Sequence, residues 1–260
     1  MANIEAVGHK TSRWRLKERL HRVPALMWFV LYYGALFGLV QFHQLSVIFA
    51  LSLAALVPSI IVHEVAHGVM AYACGDDTAQ RAGRLTANPA KHVSLWGTFV
   101  LPLLFVLALG TGFGFAKPVP VDLDRTRKPR HASLLISFAG PASNLAIVAL
   151  CFAICRVADV PGQIIDGGYV SVRQLPLWIL GLYLLGLQNL WLAIFNLLPI
   201  PPLDGSAIIE RLLPARALKG YHLFRSFALP LAFALIYFLP GPLLWLSNHV
   251  ADFWFNSFFQ

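Results

Sequence analysis

The chain has 260 residues, of which 58% are hydrophobic and 12% are charged, against about 25% charged residues in an average soluble domain. A soluble protein of this size could not bury so much apolar surface, so the composition predicts an integral membrane protein. The net charge of +8 indicates cytosolic loops that face anionic lipid, and no stretch has the pattern of a nucleic-acid-binding module. The three cysteines form no CxxC pair and indicate no disulfide framework.

The first 22 residues carry six basic and two acidic side chains. We expect this segment, 1–22, to lie in the cytosol, either as a helix on the membrane surface or as a solvated tail, since charge alone does not distinguish the two. It lacks the pattern of a cleavable signal peptide. Residues 23–260 are predicted to form one membrane-embedded domain with its core at about 45–212.

Two membrane spans are predicted before the first polar loop. No Asp, Glu, Lys or Arg occurs between Val23 and His63, a length sufficient for two crossings. The polar residues 41–44 are the natural turn between them. The predicted spans are therefore Pro24–Val40 and Leu45–Cys74.

The charge-free part of the second span ends at the sequence His63-Glu64-Val65-Ala66-His67. Positions i and i+4 of a helix lie on one face, so both imidazoles can bind one metal ion. Glu64 lies where its carboxylate can reach a metal-bound water and act as a base. Ionisable groups at the edge of an apolar span are costly, so the motif predicts a metal site more strongly than a chance match.

Residues 92–116 carry no charge but contain one proline, Pro102, and four glycines. They are apolar enough to enter the bilayer yet rich in helix breakers, so we predict a re-entrant or short β-like segment here. The following Lys-Pro-Val-Pro-Val at 117–121 is expected to be extended because of its prolines. It is either the edge of a re-entrant turn or a strand edge for an unwound peptide.

Three further apolar stretches complete the predicted fold. They are 131–155, 174–203 and 226–251, the last broken by Pro240-Gly241-Pro242. The fold class is thus an all-α polytopic membrane protein with about five to six transmembrane helices.

A catalytic zinc site needs a third protein ligand and leaves one position for water. Asp204 is the best candidate because it follows three prolines that should unwind the preceding helix. Irregular backbone at membrane depth is tolerated only where it is buried in protein or lines a cavity. An ordinary turn remains the alternative, since Asp-Gly is a strong turn signal. Among the other histidines only His92 stays a candidate.

HEVAH, GPASN at 140–144 and NLLPIPPLDG at 196–205 together resemble the site-2 protease family of intramembrane zinc metalloproteases. The sequences RLTANPAKHVSLWGT and FGFAKPVPV are similar to its compact prokaryotic members, which lack an inserted PDZ or CBS domain. The resemblance extends from about Leu56 to Leu212. One departure is Ser94, where an acidic residue is expected after His-Val, although that position is not a ligand in the family.

The resemblance implies that His63, His67 and Asp204 bind one Zn²⁺ ion per chain and that Glu64 is the general base. It also implies that Asn144 binds substrate or stabilises the oxyanion. The implied substrate is a membrane protein with a transmembrane helix, cleaved within the lipid bilayer of a prokaryotic cell membrane.

Two other functions compete with an intramembrane endopeptidase. A catalytically silent scaffold or transporter of the same fold is one, although the intact Glu64 speaks against it. A membrane di-iron oxygenase is the other, but that chemistry needs several histidine boxes and this chain has one HxxxH pair.

Charge counts predict the topology. If residues 92–116 crossed the membrane fully, residues 117–130, with five basic and two acidic side chains, would lie outside, against the positive-inside rule. We therefore predict five full crossings, a re-entrant segment at 92–116 and an active site that opens towards the cytosol. His63 lies about 27 Å along the second span, at about 1.5 Å per residue, near the cytosolic face.

Overall fold

The structure is a computed structural model that describes residues 25–41, 46–92, 117–159, 175–238 and 240–259. Within these ranges the chain is largely helical and contains no strand. The predictions for the basic segment 1–22, for the interior of the 92–116 segment and for Ser94 lie outside the described residues.

The described residues form nine α-helices, of which α2, α5 and α6 are long and apolar enough to cross a membrane. The helices are α1 (Ala25–Gln41), α2 (Val47–Cys74), α3 (Thr78–Arg81), α4 (Pro89–His92), α5 (Pro129–Val157), α6 (Leu177–Leu197), α7 (Ser206–Leu212), α8 (Ala215–Phe238) and α9 (Pro240–Phe259). The predicted all-α polytopic membrane fold is confirmed, and the exact number of crossings stays a prediction. In the last apolar stretch α8 ends at Phe238 and α9 begins at Pro240. Residue 239 lies outside the described residues, so the predicted break stays a prediction.

Helix α2 continues through Pro58, and α1 satisfies the backbone that this proline disturbs. Because proline has no N–H, the carbonyl of Ala54, one turn earlier, loses its usual helical partner. The hydroxyl of Tyr33 on α1 donates to that carbonyl at 3.1 Å, and the adjacent Tyr32 hydroxyl donates to the carbonyl of Leu53. An unpaired carbonyl in hydrocarbon would cost several kcal/mol, so these two tyrosines help fix α1 against α2.

Helix α5 lies at the centre of the core, where it packs against both α2 and α6, and α2 also contacts α6. HEVAH on α2 and GPASN on α5 therefore face one another, close to the end of α6. Farther along α5, Cys151 and Cys155 are buried in an apolar cluster with residues of α6 and α9. All three cysteines are free thiols, in agreement with the absence of a predicted disulfide framework.

The described residues on either side of the segment 93–116 lie side by side. The N–H of Lys117 donates to the carbonyl of His92 at 2.8 Å. The guanidinium of Arg84 donates to the carbonyls of Lys117 and Pro118 at 2.6 and 3.2 Å. The chain then continues as irregular backbone, as its prolines predict, and passes close to α2.

Candidate active site

The side chains of His63, His67 and Asp204 meet between α2 and the loop that follows α6. The Nε2 atoms of the two histidines are 3.0 Å apart. Asp204 Oδ2 lies 3.1 Å from Nε2 of His63 and 3.3 Å from Nε2 of His67. The structure thus places together the three residues expected to bind a metal, with one ligand atom of each within 4.8 Å of the others.

Both histidines are oriented through the ring nitrogen that faces away from this cluster. His67 Nδ1 lies 2.6 Å from the carbonyl oxygen of Ile136 on α5, and His63 Nδ1 lies 2.6 Å from Oδ1 of Asn144. A carbonyl oxygen can only accept, so each Nδ1 that donates to one carries the hydrogen. Each Nε2 then presents a lone pair towards Asp204.

The atoms at the centre of the cluster fit a zinc ion. Asp204 Oδ2 is buried and has no hydrogen-bond donor among the described residues. Two lone pairs and a carboxylate oxygen that face one another at these distances repel unless a cation lies between them. Two neutral imidazoles and one carboxylate form a recognised ligand set for catalytic zinc, with the fourth position left for water.

Gly140 on α5 makes room for the two imidazoles. A Cβ atom at this position would lie 2.4 Å from His67 Nε2 and 2.6 Å from His63 Nε2, well inside van der Waals contact. No role was predicted for Gly140 beyond its place in GPASN. Its position within a predicted helix was the available signal. Glycine destabilises a helix, so its presence there indicates a packing or functional role.

The loop after α6 turns back sharply to bring Asp204 to α2. Helix α6 ends at Leu197, just before the prolines that were predicted to unwind it. The N–H of Gly205 donates to the carbonyl of Asn196 at 2.6 Å, which folds the loop onto the helix end. A Cβ on Gly205 would lie 2.2 Å from the carbonyl oxygen of Leu197, so this close approach requires glycine.

Glu64 lies beside the cluster and is held by the backbone of the proline-rich segment. The N–H of Val119 donates to Glu64 Oε2 at 2.9 Å. Pro118 and Pro120 have no N–H, so Val119 carries the only backbone donor of this tripeptide. The contact occupies one carboxylate oxygen and leaves Oε1 for a water molecule.

Arg84 holds the same segment from the other side. Its side chain is buried, and burial lowers the pKa of its guanidinium while the nearby charge of Glu64 acts in the opposite direction. With its two bonds to carbonyls, Arg84 fixes the backbone just before Val119. The N–H and carbonyl of Lys117, the carbonyl of Pro118 and the N–H of Val119 are therefore already bonded.

Asn144 is fully buried on α5, with both polar atoms of its side chain bonded. Oδ1 accepts from His63, and Nδ2 donates to Oδ1 of Asn189 on α6 at 2.7 Å. Stabilising an oxyanion would need an N–H that points at substrate, whereas this contact is directed at Asn189. The geometry favours a role in orienting His63, and neither Asn189 nor this role was predicted from the sequence.

His92 is buried but lies outside the three-residue cluster. Its Nε2 donates to the carbonyl of Thr86 at 2.8 Å, which joins the last residue of α4 to the loop that precedes this helix. Burial lowers the pKa of His92, and this hydrogen bond acts in the opposite direction. The structure thus places His92 in a loop contact and not in the candidate metal centre.

Fold and site together define a class of protein: a helical polytopic membrane protein whose core helices carry a candidate metal centre with a carboxylate beside it. A sequence model of peptidase family M50 matches residues 51–239. The chain belongs to this family, the site-2 protease family that HEVAH, GPASN and NLLPIPPLDG indicated.

Three curated bacterial proteins illustrate the similarity. "Putative zinc metalloprotease YwhC" of Bacillus subtilis is 40% identical over 161 residues, which cover 61% of this chain and 67% of that protein. "Putative zinc metalloprotease Rip2" of Mycolicibacterium smegmatis is 29% identical over 163 residues, 63% of this chain and 57% of that protein. The protein of the same name in Mycobacterium tuberculosis is 30% identical over 192 residues, 74% of this chain and 68% of that protein. No solved structure matches the chain.

These findings confirm the predicted family and the prediction of a membrane metalloprotease. Zinc as the predicted cofactor agrees with the names of the relatives and with the ligand set of the cluster.

Proposed function

We propose that this protein is an intramembrane zinc endopeptidase that hydrolyses peptide bonds in or near transmembrane segments of other membrane proteins. The observation that carries this proposal is the convergence of His63, His67 and Asp204 on one point beside Glu64. The two histidines lie in the C-terminal half of an apolar helix of membrane-spanning length, and Asp204 Oδ2 has no donor in the described part of the chain.

The residues divide the chemistry between them. Zinc held by His63, His67 and Asp204 would supply an acidified water and polarise the peptide carbonyl. Glu64 takes the proton of the attacking water on Oε1 and returns it to the leaving amine. The N–H of Val119 holds Oε2, so the carboxylate keeps one orientation during both proton transfers.

The substrate must lose its helical hydrogen bonds before attack, because a membrane-embedded helix has its carbonyls bonded internally. We place the reaction in a prokaryotic cell membrane, with one Zn²⁺ per chain and the site open to the cytosol. The basic residues of the loops that flank the site support this orientation, since short cytosolic loops are enriched in Lys and Arg.

The test compares Glu64→Gln with the unaltered chain in purified protein and in cell membranes. Glu64→Gln should retain zinc and fold but lose cleavage of a single-span substrate, and single-span proteins should accumulate in its membrane fraction. Glu210→Gln is the matched control, since Glu210 lies on α7 and pairs with Arg225, away from the cluster. Cleavage by Glu64→Gln at the unaltered rate would contradict the proposal.

Metal content tests the ligands separately. The unaltered protein should carry one zinc per chain, and Asp204→Ala should lower the occupancy because only two imidazoles remain. Full zinc in Asp204→Ala would remove Asp204 from the site. Zinc binding without any peptidase activity would instead support the scaffold alternative.

A further inference from the structure

Three polar residues buried within the helical core form a hydrogen-bond chain that ends at His63. Ser59 on α2, Asn144 on α5 and Asn189 on α6 are each at most 1% exposed. Polar side chains inside a membrane protein are costly unless paired, and they commonly serve function. Ser59 and Asn189 do not touch the reacting atoms, so their presence needs another reason.

Asn189 occupies the middle of this chain with both side-chain atoms bonded. Its Nδ2 donates to the carbonyl of Leu185 and to Oγ of Ser59, each at 2.8 Å. Its Oδ1 accepts from Nδ2 of Asn144 at 2.7 Å. Asn144 in turn accepts from His63 Nδ1 through Oδ1, at 2.6 Å.

The Asn189 amide can adopt only one orientation here. The carbonyl of Leu185 is an acceptor and needs an N–H opposite it. Ser59 already donates its hydroxyl hydrogen to the carbonyl of Ala55 at 2.7 Å, so Oγ also presents a lone pair to Asn189. Reversing the amide would place an oxygen against two acceptors, and the NH₂ group is therefore fixed on this side.

The orientation of the Asn189 amide determines the orientation of each later group in the hydrogen-bond chain, up to His63. With its NH₂ group turned to Leu185, Asn189 presents oxygen to Asn144. Asn144 must then present its own NH₂ group to that oxygen and its Oδ1 to His63. His63 consequently carries its hydrogen on Nδ1, which leaves Nε2 with the lone pair that a metal needs.

We propose that Asn189 and Ser59 are positioning residues that, through Asn144, fix His63 in its metal-binding tautomer. The inference rests on the proposed zinc site. His67 reaches the same tautomer directly, because its Nδ1 faces the backbone carbonyl of Ile136. His63 instead faces a side-chain amide that could rotate, and the buried residues on α6 and α2 prevent this rotation.

The decisive variant is Asn189→Leu, which removes the polar group and keeps the number and branching of the side-chain heavy atoms. Asn144 can then rotate and donate to His63 Nδ1, which moves the histidine hydrogen to Nε2 and opposes metal binding. Loss of such an outer hydrogen-bond partner typically lowers metal affinity about 10–100-fold. Zinc affinity is measured in purified protein by competition with a chelator, so the readout is independent of peptidase activity.

Gln188→Leu is the matched control. Gln188 is the adjacent residue on α6, and its Oε1 is buried without a partner among the described residues. The same substitution there removes an amide that has no link to His63. We expect zinc affinity in Gln188→Leu to equal that of the unaltered chain.

The variant Asn144→Asp distinguishes an effect of Asn189 on the orientation of residue 144 from an effect on packing. A carboxylate at 144 accepts the Nδ1 hydrogen of His63 whichever way its neighbours point, so the tautomer no longer depends on Asn189. In the Asn144→Asp background, Asn189→Leu should therefore cost little further zinc affinity. A purely structural role for Asn189 would produce the same loss in both backgrounds.

The outcomes are distinct. A loss of zinc affinity that Asn189→Leu causes only in the unaltered background supports the proposal. Equal losses of zinc affinity in both backgrounds, or no loss in either, overturn it. If Asn189→Leu does not fold, Asn189→Ala, which leaves a cavity, is compared in the same two backgrounds. A further outcome is that the variants show the expected differences in zinc affinity while the unaltered protein has no peptidase activity. That result would support the positioning role of Asn189 and contradict the proposed function.

Discussion

The backbone N–H of Val119 donates to the carboxylate of Glu64, with 2.9 Å between Val119 N and Glu64 Oε2. This contact joins two stretches far apart in sequence, the HEVAH helix and the proline-rich segment. Pro118 and Pro120 cannot donate, so a single N–H fixes the carboxylate proposed to move the proton.

Val119→Pro should therefore lower activity while the metal site stays intact. A hydrogen bond to a charged group contributes about 1.5–3 kcal/mol, so we expect roughly a tenfold to hundredfold loss in kcat. The measurement is turnover of a single-span substrate together with zinc content. Val119→Ala, which keeps the N–H, is the control and should retain most of the activity. Unchanged turnover in Val119→Pro would mean that this N–H does not orient Glu64.

Gly140→Ala tests the space between the imidazoles. The added methyl group would lie 2.4 Å from His67 Nε2, so the two rings must move apart and zinc content should fall. Alanine is the better helix former by about 1 kcal/mol, so the substitution should not destabilise the helix itself. Gly181→Ala on α6 is the matched control, because a Cβ there meets nothing within 4 Å. Equal zinc content in both variants would rule out the steric argument.

The local part of the site could be predicted from the sequence. His63 and His67 lie four positions apart on one helix, and helix geometry alone brings them together. Asp204 needed the family resemblance, because a Pro-Pro-Leu-Asp-Gly stretch by itself is more typical of an ordinary turn. The structure places all three side chains around one point, and the boundaries of α2 differ from the predicted span by only two residues at its start.

The supporting contacts could not be predicted, since they depend on how separate helices pack. Nothing in the spacing of Asn144 and Asn189 reveals that their amides meet, and each could equally have faced a neighbouring carbonyl. The Pro-Val-Pro pattern does carry a signal, because it leaves a single backbone donor, but the sequence does not name its acceptor. Asn144 was assigned to substrate binding or oxyanion stabilisation by resemblance, and its contacts with His63 and Asn189 now favour a positioning role.

Asp76, just after α2, predicts a pH dependence of stability. It is fully buried and accepts from the N–H of Thr78 at 2.9 Å and from the N–H of Asp122 at 2.7 Å. Burial raises the pKa of this carboxyl, but these hydrogen bonds and that from the Thr78 hydroxyl outweigh it and hold the pKa below its ordinary value. The stabilisation is therefore complete above the ordinary Asp pKa of about 3.9 and is lost as the pH falls through the lower folded-state pKa.

Asp76→Asn should lower the thermal midpoint in detergent at neutral pH, because an amide N–H would face the N–H of Asp122 or Thr78. The free energy of unfolding should fall by about 1.5–3 kcal/mol, the contribution of hydrogen bonds to a charged group. The difference from the unaltered chain should shrink as the pH falls into the acid range. Asp77→Asn, which removes only exposed ion pairs, should change stability little at any pH. Parallel pH profiles for Asp76→Asn and the unaltered chain would contradict this assignment.

The contact between Lys117 and His92 bears on how the chain crosses the membrane. Its 2.8 Å hydrogen bond joins the two flanks of residues 93–116, whereas a full crossing would separate them by about 30 Å. We therefore expect residues 117–130, with their five basic side chains, to remain on the cytosolic side together with the metal centre. Helix α5 then leads outwards, so its two ends lie on opposite faces of the membrane.

Single cysteines at those two ends give the test, in a chain whose native Cys74, Cys151 and Cys155 are replaced by alanine. Lys128 and Asp159 are both exposed and flank α5. An impermeant thiol reagent added to intact cells should label Asp159→Cys and leave Lys128→Cys unlabelled until the membrane is permeabilised. Labelling of Lys128→Cys from outside would place residues 117–130 on the outer face, together with the metal centre that they contact through Val119 and Glu64. That result would contradict the predicted orientation.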